Sequence, residues 1–178
     1  MKKVLIITTL GILATLLCSF IGVHEASENP GTITFITNAG MESTFTVGNW
    51  KFGKCDIKAD AIEQLQVEAE MDMSSLDCSW KELESSVKKK KDYFYIKHFP
   101  KATLSINGAK KIKNNEYTCE ANLTLRQVSH PVTLTFTAES NNNVLNIKGY
   151  GIVNRRNHEF TGDGPKDEVP VNFEFIVK

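Results

Sequence analysis

From Leu65 to Met73 the chain alternates without a break: Leu65, Val67, Ala69, Met71 and Met73 are apolar, and Gln66, Glu68, Glu70 and Asp72 between them are polar. Successive side chains of an extended strand point to opposite faces, so this run buries one face and wets the other as a strand. Wound into a helix, the same five apolar residues would be scattered around the axis and bury no common face. The phase recurs in Cys55, Ile57, Ala59 and Ala61 against Asp56, Lys58 and Asp60, and in Ala102, Leu104 and Ile106 against Lys101, Thr103 and Ser105. It recurs again in Tyr117, Cys119, Ala121, Leu123 and Leu125, and in Val132, Leu134, Phe136 and Ala138. Further strands are expected at Thr32 to Thr37, Ser43 to Asn49, Val144 to Val153 and Val169 to Val177.

Turn chemistry separates these runs: Asn38-Ala39-Gly40, Asn107-Gly108, Asn114-Asn115, Ser129-His130-Pro131, Asn141 to Asn143, and Gly162 to Pro165. Only Ser79 to Tyr93 departs from the period, with Trp80, Leu83 and Val87 at helical spacing among Lys and Glu. It reads as a short helix or an ordered loop. Its Lys88 to Lys91 run has two readings, a basic patch for anionic head groups and a solvated helix end. About eight amphipathic strands must hide their apolar faces and leave no open edge, and closure does both. The expected fold is all-β, a closed antiparallel barrel with one short helix.

The amino terminus bears on the compartment. Lys2 and Lys3 precede an uncharged run from Val4 to Val23, the form of a secretory signal peptide. Residues 1–26 are expected to be that leader and 27–178 the exported domain, in the periplasm or cell envelope. An uncleaved anchor is the alternative, because the run is long enough to cross a bilayer. Cys18 is not expected to carry lipid, since Leu17 stands where acylation needs a small residue. Cys55, Cys78 and Cys119 remain, an odd count that allows one bridge and one free thiol or three buried thiols.

Across 178 residues, 21 Lys plus Arg balance 21 Asp plus Glu. A nucleic-acid binder needs a basic excess to displace counterions, so no nucleic-acid partner is expected. Gly-x-Ser-x-Gly, a Gly-rich phosphate loop and His-Glu-x-x-His are all missing from the sequence. His98, His130 and His158 are too dispersed to suggest a metal site, and His98 and His130 sit beside prolines as turn residues. Asp56, Asp60, Glu68, Glu70 and Asp72 share the polar phase and should face water, whereas acid–base catalysis wants a desolvated carboxylate. No catalytic residue, metal or cofactor is expected. Asn122-Leu123-Thr124 matches a glycan acceptor, a motif too short to weigh.

The order of several segments resembles the YceI-like family of exported bacterial proteins. They are Phe45-Thr46-Val47, the Val67 to Leu76 strand ending in Met73-Ser74-Ser75-Leu76-Asp77, and Phe99-Pro100-Lys101-Ala102-Thr103. Ala121-Asn122-Leu123-Thr124-Leu125 and Val128-Ser129-His130-Pro131-Val132-Thr133-Leu134 complete the set. The likeness spans roughly Gly31 to Lys178. It implies a lipocalin-like barrel that binds polyisoprenoid lipids. Two departures stand out: Gln127 replaces the glycine usual in its turn, and Ser79 to Tyr93 carries lysines in place of an acidic, His-containing pattern.

A small barrel is either filled by its own side chains or holds one ligand. Ala59, Ala61, Ala69, Ala121 and Ala138 in the apolar phase leave room, or pack closely against the Trp80 segment. With the resemblance, the expected function is to hold an isoprenoid-like or similar long-chain lipid inside the barrel. Val67, Ala69, Met71, Leu104, Ala121, Leu123, Leu134 and Phe136 are its expected walls; Tyr93, Phe94, Tyr95 and Phe99 lie near its mouth. Peripheral membrane contact is the second partner considered. The alternative function is a stress-response or interaction protein with a filled barrel and no lipid.

Overall fold

The computed structural model describes residues 26–38, 42–47, 50–56, 61–142, 144–164 and 166–177. Met1 to Glu25, Ala59, Asp60 and the side chain of Cys55 lie outside them, and with them the leader and any pairing of Cys55. Among the described residues, eleven strands form one sheet: β1 (Ala26–Asn38), β2 (Glu42–Val47), β3 (Trp50–Asp56), β4 (Gln66–Asp72), β5 (Leu76–Cys78), β6 (Lys101–Asn107), β7 (Lys110–Lys113), β8 (Glu116–Leu125), β9 (Val128–Asn141), β10 (Val144–Asn154) and β11 (Glu168–Val177). Helix α1 (Lys81–Lys89) follows β5. The sheet runs β3-β4-β6-β8-β9-β10-β11-β1-β2-β5, with β7 attached to β8 alone. Every pairing is antiparallel, and the sheet curls into a nearly closed barrel.

The alternation read from the sequence is the alternation of burial. Val67, Ala69 and Met71 point inward from β4; Ala102, Leu104 and Ile106 do so from β6; Cys119, Ala121 and Leu123 do so from β8. Glu70 faces outward and pairs with Lys101 across the strands, and Asp72 accepts from the Ser74 amide.

The all-β antiparallel barrel with one short helix is as expected, and one turn is corrected. Beyond the longer strands read from the sequence, β5 and β7 have three and four residues, too few to show a period. The run expected as a strand from Cys55 to Ala61 begins within β3, and its residues 57–60 lie outside the described residues. The β3–β4 register shifts between Phe52 and Lys54, and Ala61 leads into a tight 3-10 turn at Ile62–Gln64. The turn expected at Ser129-His130-Pro131 is part of β9. The chain reverses instead at Arg126 and Gln127, both in the left-handed region (φ 52° and 64°), with Leu125 paired to Val128. Neither residue is a type that advertises such a turn. Pro131 is tolerated in the strand because the β9–β10 ladder ends at Leu134.

The helix forms where the 3.6 spacing placed it. Val87 is buried, and Trp80 and Leu83 pack on the core. Glu82 and Glu84 occupy its first turn and Lys88 and Lys89 its last, each sign where the helix dipole favours it. Glu84 accepts from Lys81, Lys88 and the Cys78 amide, and these bonds, the Lys81 contact foremost, hold its carboxyl down at about 2. The helix is thereby tied to β5.

Candidate functional site

The barrel interior divides into two halves. In the half where β8 begins and β9 ends, aromatic rings fill the space. Tyr117 stacks on Phe136 at 5.7 Å and Phe173 on Phe175 at 5.9 Å. Gly149 of β10 makes this possible, since a Cβ there would collide with the Phe173 ring and with Cβ of Phe136. Phe136, Phe175, Ile147, Val67 and Ala121 are all buried in this packing.

The other half holds an apolar cavity of about 130 Å³. Ile33 and Phe35 of β1, Val47 of β2, Met71 of β4 with Met73 in the 3-10 turn after it, and Leu123 and Leu125 of β8 form one wall. Val153 of β10 with Val169 and Val171 of β11 form the other, and Leu83, Val87, Tyr93 and Phe94 cover it from the helix side. Its border includes Thr37, Phe160 and Arg155.

The cover is a ladder of rings. Phe45 stacks on Phe35 (5.3 Å), Phe35 meets Phe94 (5.9 Å), and Phe94 meets Phe160 edge-on (5.0 Å). Arg126 ends the ladder, its guanidinium 5.3 Å from the Phe160 ring and 5.4 Å from that of Phe99. It also donates to the Glu159 carbonyl. Such cation–π contacts between partly desolvated groups are worth about 0.5–2 kcal/mol each.

Two loops meet over the cavity along a polar seam. Tyr93 Oη donates to the Asp163 carbonyl (2.7 Å), the Gly162 amide donates to the Asp92 carbonyl (3.0 Å), and Thr161 Oγ1 donates to Asp92 Oδ1 (2.9 Å). Gly162 lies flat on the Tyr93 ring; a Cβ there would sit 2.5 Å from it. Arg155 holds the loop's base. Buried, it donates to the Gly162 (2.6 Å) and Lys166 (3.1 Å) carbonyls and pairs with Asp167 at 3.1 Å. A buried guanidinium is tolerable because it is matched in this way.

Beside it, the buried His158 shares a 2.9 Å hydrogen bond through Nδ1 with the Val128 carbonyl and lies edge-on to His130 at 5.6 Å. Burial, aided by His130, lowers its pKa, while the Val128 contact opposes the shift. Cys78 and Cys119 are buried free thiols, and burial pushes the Cys119 thiol up to about 11, away from reactivity at neutral pH. No cluster of three or more His, Cys, Asp or Glu fit to hold a metal occurs among the described residues.

Of the residues expected at the site, Met71, Leu123, Tyr93 and Phe94 line the cavity. Val67, Ala69, Leu104, Ala121, Leu134 and Phe136 point inward but are buried in packing away from it. Tyr95 stacks on His98 at 4.2 Å, and Phe99 lies under Arg126; both are outside the cavity. The sequence reading passed over Ile33, Phe35, Val153, Val169 and Val171, although strand phase pointed all five inward. Phe160 and Arg155 carry no such signal, because a loop and a 3-10 turn deliver them.

The YceI-like domain profile matches residues 26–177. Among solved structures, BcnA of Burkholderia cenocepacia superposes with a TM-score of 0.73 at 18% identity, over 83% of this chain and 96% of its own. A YCEI protein of Campylobacter jejuni gives 0.65 at 15%, over 75% and 84%. A domain of Saccharophagus degradans described as polyisoprenoid binding gives 0.61 at 10%, over 83% and 93%. A search of curated protein sequences gave no match. At these identities the solved structures speak for the fold alone, and it is the profile, running the length of the barrel, that shows this chain to belong to the YceI-like domain family.

Proposed function

We propose that this protein is an exported carrier that holds an isoprenoid-like or similar long-chain apolar lipid, and that it binds without catalysing a reaction. The observation that carries this reading is the apolar cavity beneath the ring ladder, in a fold shared with a domain described as polyisoprenoid binding. An engineered cavity of about 150 Å³ stays dry and takes benzene. At about 130 Å³, the cavity has room for one ring-sized or isoprene-sized group. A longer chain enters as the seam between the Tyr93 and Gly162 loops parts. Each methylene removed from water contributes about 0.8 kcal/mol, so a few units suffice for retention. Export rests on Lys2, Lys3 and the Val4 to Val23 run.

Native mass spectrometry of protein purified from its own host tests the reading. A copurified apolar lipid and a mass lacking the leader are expected. The packed aromatic half favours the second reading, a filled barrel that serves as an interaction or stress-response protein. An empty barrel after gentle purification, with no uptake of added prenyl lipid, would establish that reading in place of the first.

A further inference from the structure

Segment 88–101 covers the cavity and carries six lysines, Lys88 to Lys91, Lys97 and Lys101. Two of them are engaged: Lys88 pairs with Glu84 and Lys101 with Glu70. Lys89, Lys90, Lys91 and Lys97 are exposed and form no ion pair with any of the described residues. Elsewhere among the described residues, Lys81, Lys113 and Lys148 each lie against a carboxylate, whereas the exposed Lys110, Lys111 and Lys166 form no ion pair.

The backbone gathers these four charges. The Ile96 amide donates to the Lys88 carbonyl (2.9 Å) and the Phe94 amide to that of Val87 (3.1 Å), so the chain doubles back and sets Lys97 beside the helix end. Leu83, Val87, Tyr93 and Phe94 of the same lobe face the cavity. Asp92 is the one acid in the lobe's turns, and Thr161 holds it. The facing stretch 155–168 carries Arg155, Arg156 and Lys166 against Glu159, Asp163, Asp167 and Glu168, with both arginines paired to Asp167.

A solvated helix end accounts for Lys89, where the dipole welcomes a cation, but the dipole's influence fades within a turn and does not reach Lys97. Like charges folded together without partners cost stability, and an anionic surface would repay that cost.

We propose that this lobe docks the barrel, cavity opening first, on a bilayer bearing anionic phospholipids. The inference deepens the carrier reading and rests on it for its purpose: a carrier has to reach the membrane that supplies its lipid. The near-zero charge of the chain and the position of the patch on the segment that covers the apolar cavity favour a bilayer over a nucleic acid.

The test is cosedimentation of the full-length mature protein with vesicles of phosphatidylcholine alone and of phosphatidylcholine mixed with phosphatidylglycerol. Binding is expected to the mixed vesicles only, and to fall as salt is raised past the point where the Debye length shrinks to a few ångströms. Each basic residue near an anionic surface contributes roughly fivefold in partitioning. The variant Lys89→Gln/Lys90→Gln/Lys91→Gln/Lys97→Gln should therefore bind nearly three orders of magnitude less well, roughly 600-fold, with an unchanged melting temperature. Lys110→Gln/Lys111→Gln/Lys113→Gln is the control. It removes charge from β7, which pairs with β8 near Glu116, the end away from the cavity.

Failure to bind mixed vesicles, equal binding to phosphatidylcholine, equal loss in both variants, or binding to a single-stranded oligonucleotide in place of vesicles would each overturn the proposal. Native mass spectrometry on the same preparations separates the two readings. Protein that docks but purifies empty sinks the carrier reading alone, and protein that carries lipid but ignores vesicles sinks docking alone.

Discussion

Val153→Phe places a ring in the open half of the barrel, where Val153 of β10 faces the cavity opposite Val169 of β11. Unfilled core volume costs about 24 cal/mol per Å³, so a cavity of about 130 Å³ leaves roughly 3 kcal/mol of stability unrealised in the empty barrel. A phenylalanine that recovers a third of it stabilises the empty protein by about 1 kcal/mol. With a urea slope of about 1–3 kcal/mol per molar, the midpoint then rises by roughly 0.3–1 M. The same ring occupies the ligand's space, so lipid recovered with the variant should fall to background.

Ala121→Trp is the contrasting change. Ala121 is fully buried between Ile106 and Val132 in the packed half, so overpacking should lower stability by about 1–3 kcal/mol and leave lipid occupancy of the folded fraction intact. Urea denaturation and mass spectrometry of bound lipid, run on both variants and the parent, decide the matter. If Val153→Phe is destabilised like Ala121→Trp and still carries the parent's lipid, the apolar cavity is not the binding site.

Gln127→Gly should raise stability by about 0.5–1 kcal/mol in thermal melts, because Gln127 holds a left-handed conformation (φ 64°) that costs an L side chain about 1–2 kcal/mol, part of which glycine returns as unfolded-state entropy. Gly162→Ala drives a methyl into the Tyr93 ring, so hydrogen exchange at Gly162 and its neighbours should speed up while the β8 and β9 amides stay protected. His158 has a lowered pKa in the folded protein, so its contribution is complete above its unfolded value near 6.5 and is lost as pH falls. Melts from about pH 7.5 to pH 5 should show a decline that His158→Gln flattens; equal slopes in the two proteins would rule His158 out as the cause. Glu84, held low by Lys81 first and then by Lys88 and Cys78, contributes above its unfolded value near 4.5 and loses that contribution as pH falls toward 2. Glu84→Gln should thus reduce the loss of helix signal in acid.

The period-two runs determined most of the barrel by themselves. Alternation is a local property, and a strand such as β4 or β8 has one way to bury Val67, Ala69 and Met71, or Cys119, Ala121 and Leu123, while wetting the residues between. The helix was equally local, set by Trp80, Leu83 and Val87. Where phase is broken, the sequence lost the thread. The Arg126-Gln127 reversal, built from residues that do not favour it, was masked by the more turn-like Ser129-His130-Pro131.

Phase gives the face on which a side chain lies and nothing about its depth along the barrel. Ala121 and Leu123 are two residues apart on one face of β8, yet Ala121 is enclosed by packing and Leu123 borders the cavity. That division is made across strands: Tyr117 meets Phe136 through the β8–β9 register, and Phe173 reaches over a glycine of β10. The cover is more remote still, since Phe94, Phe160 and Arg126 come from three separate loops and turns. Which half stays open is therefore decided by contacts between residues distant in the chain, where only the folded register brings the rings together.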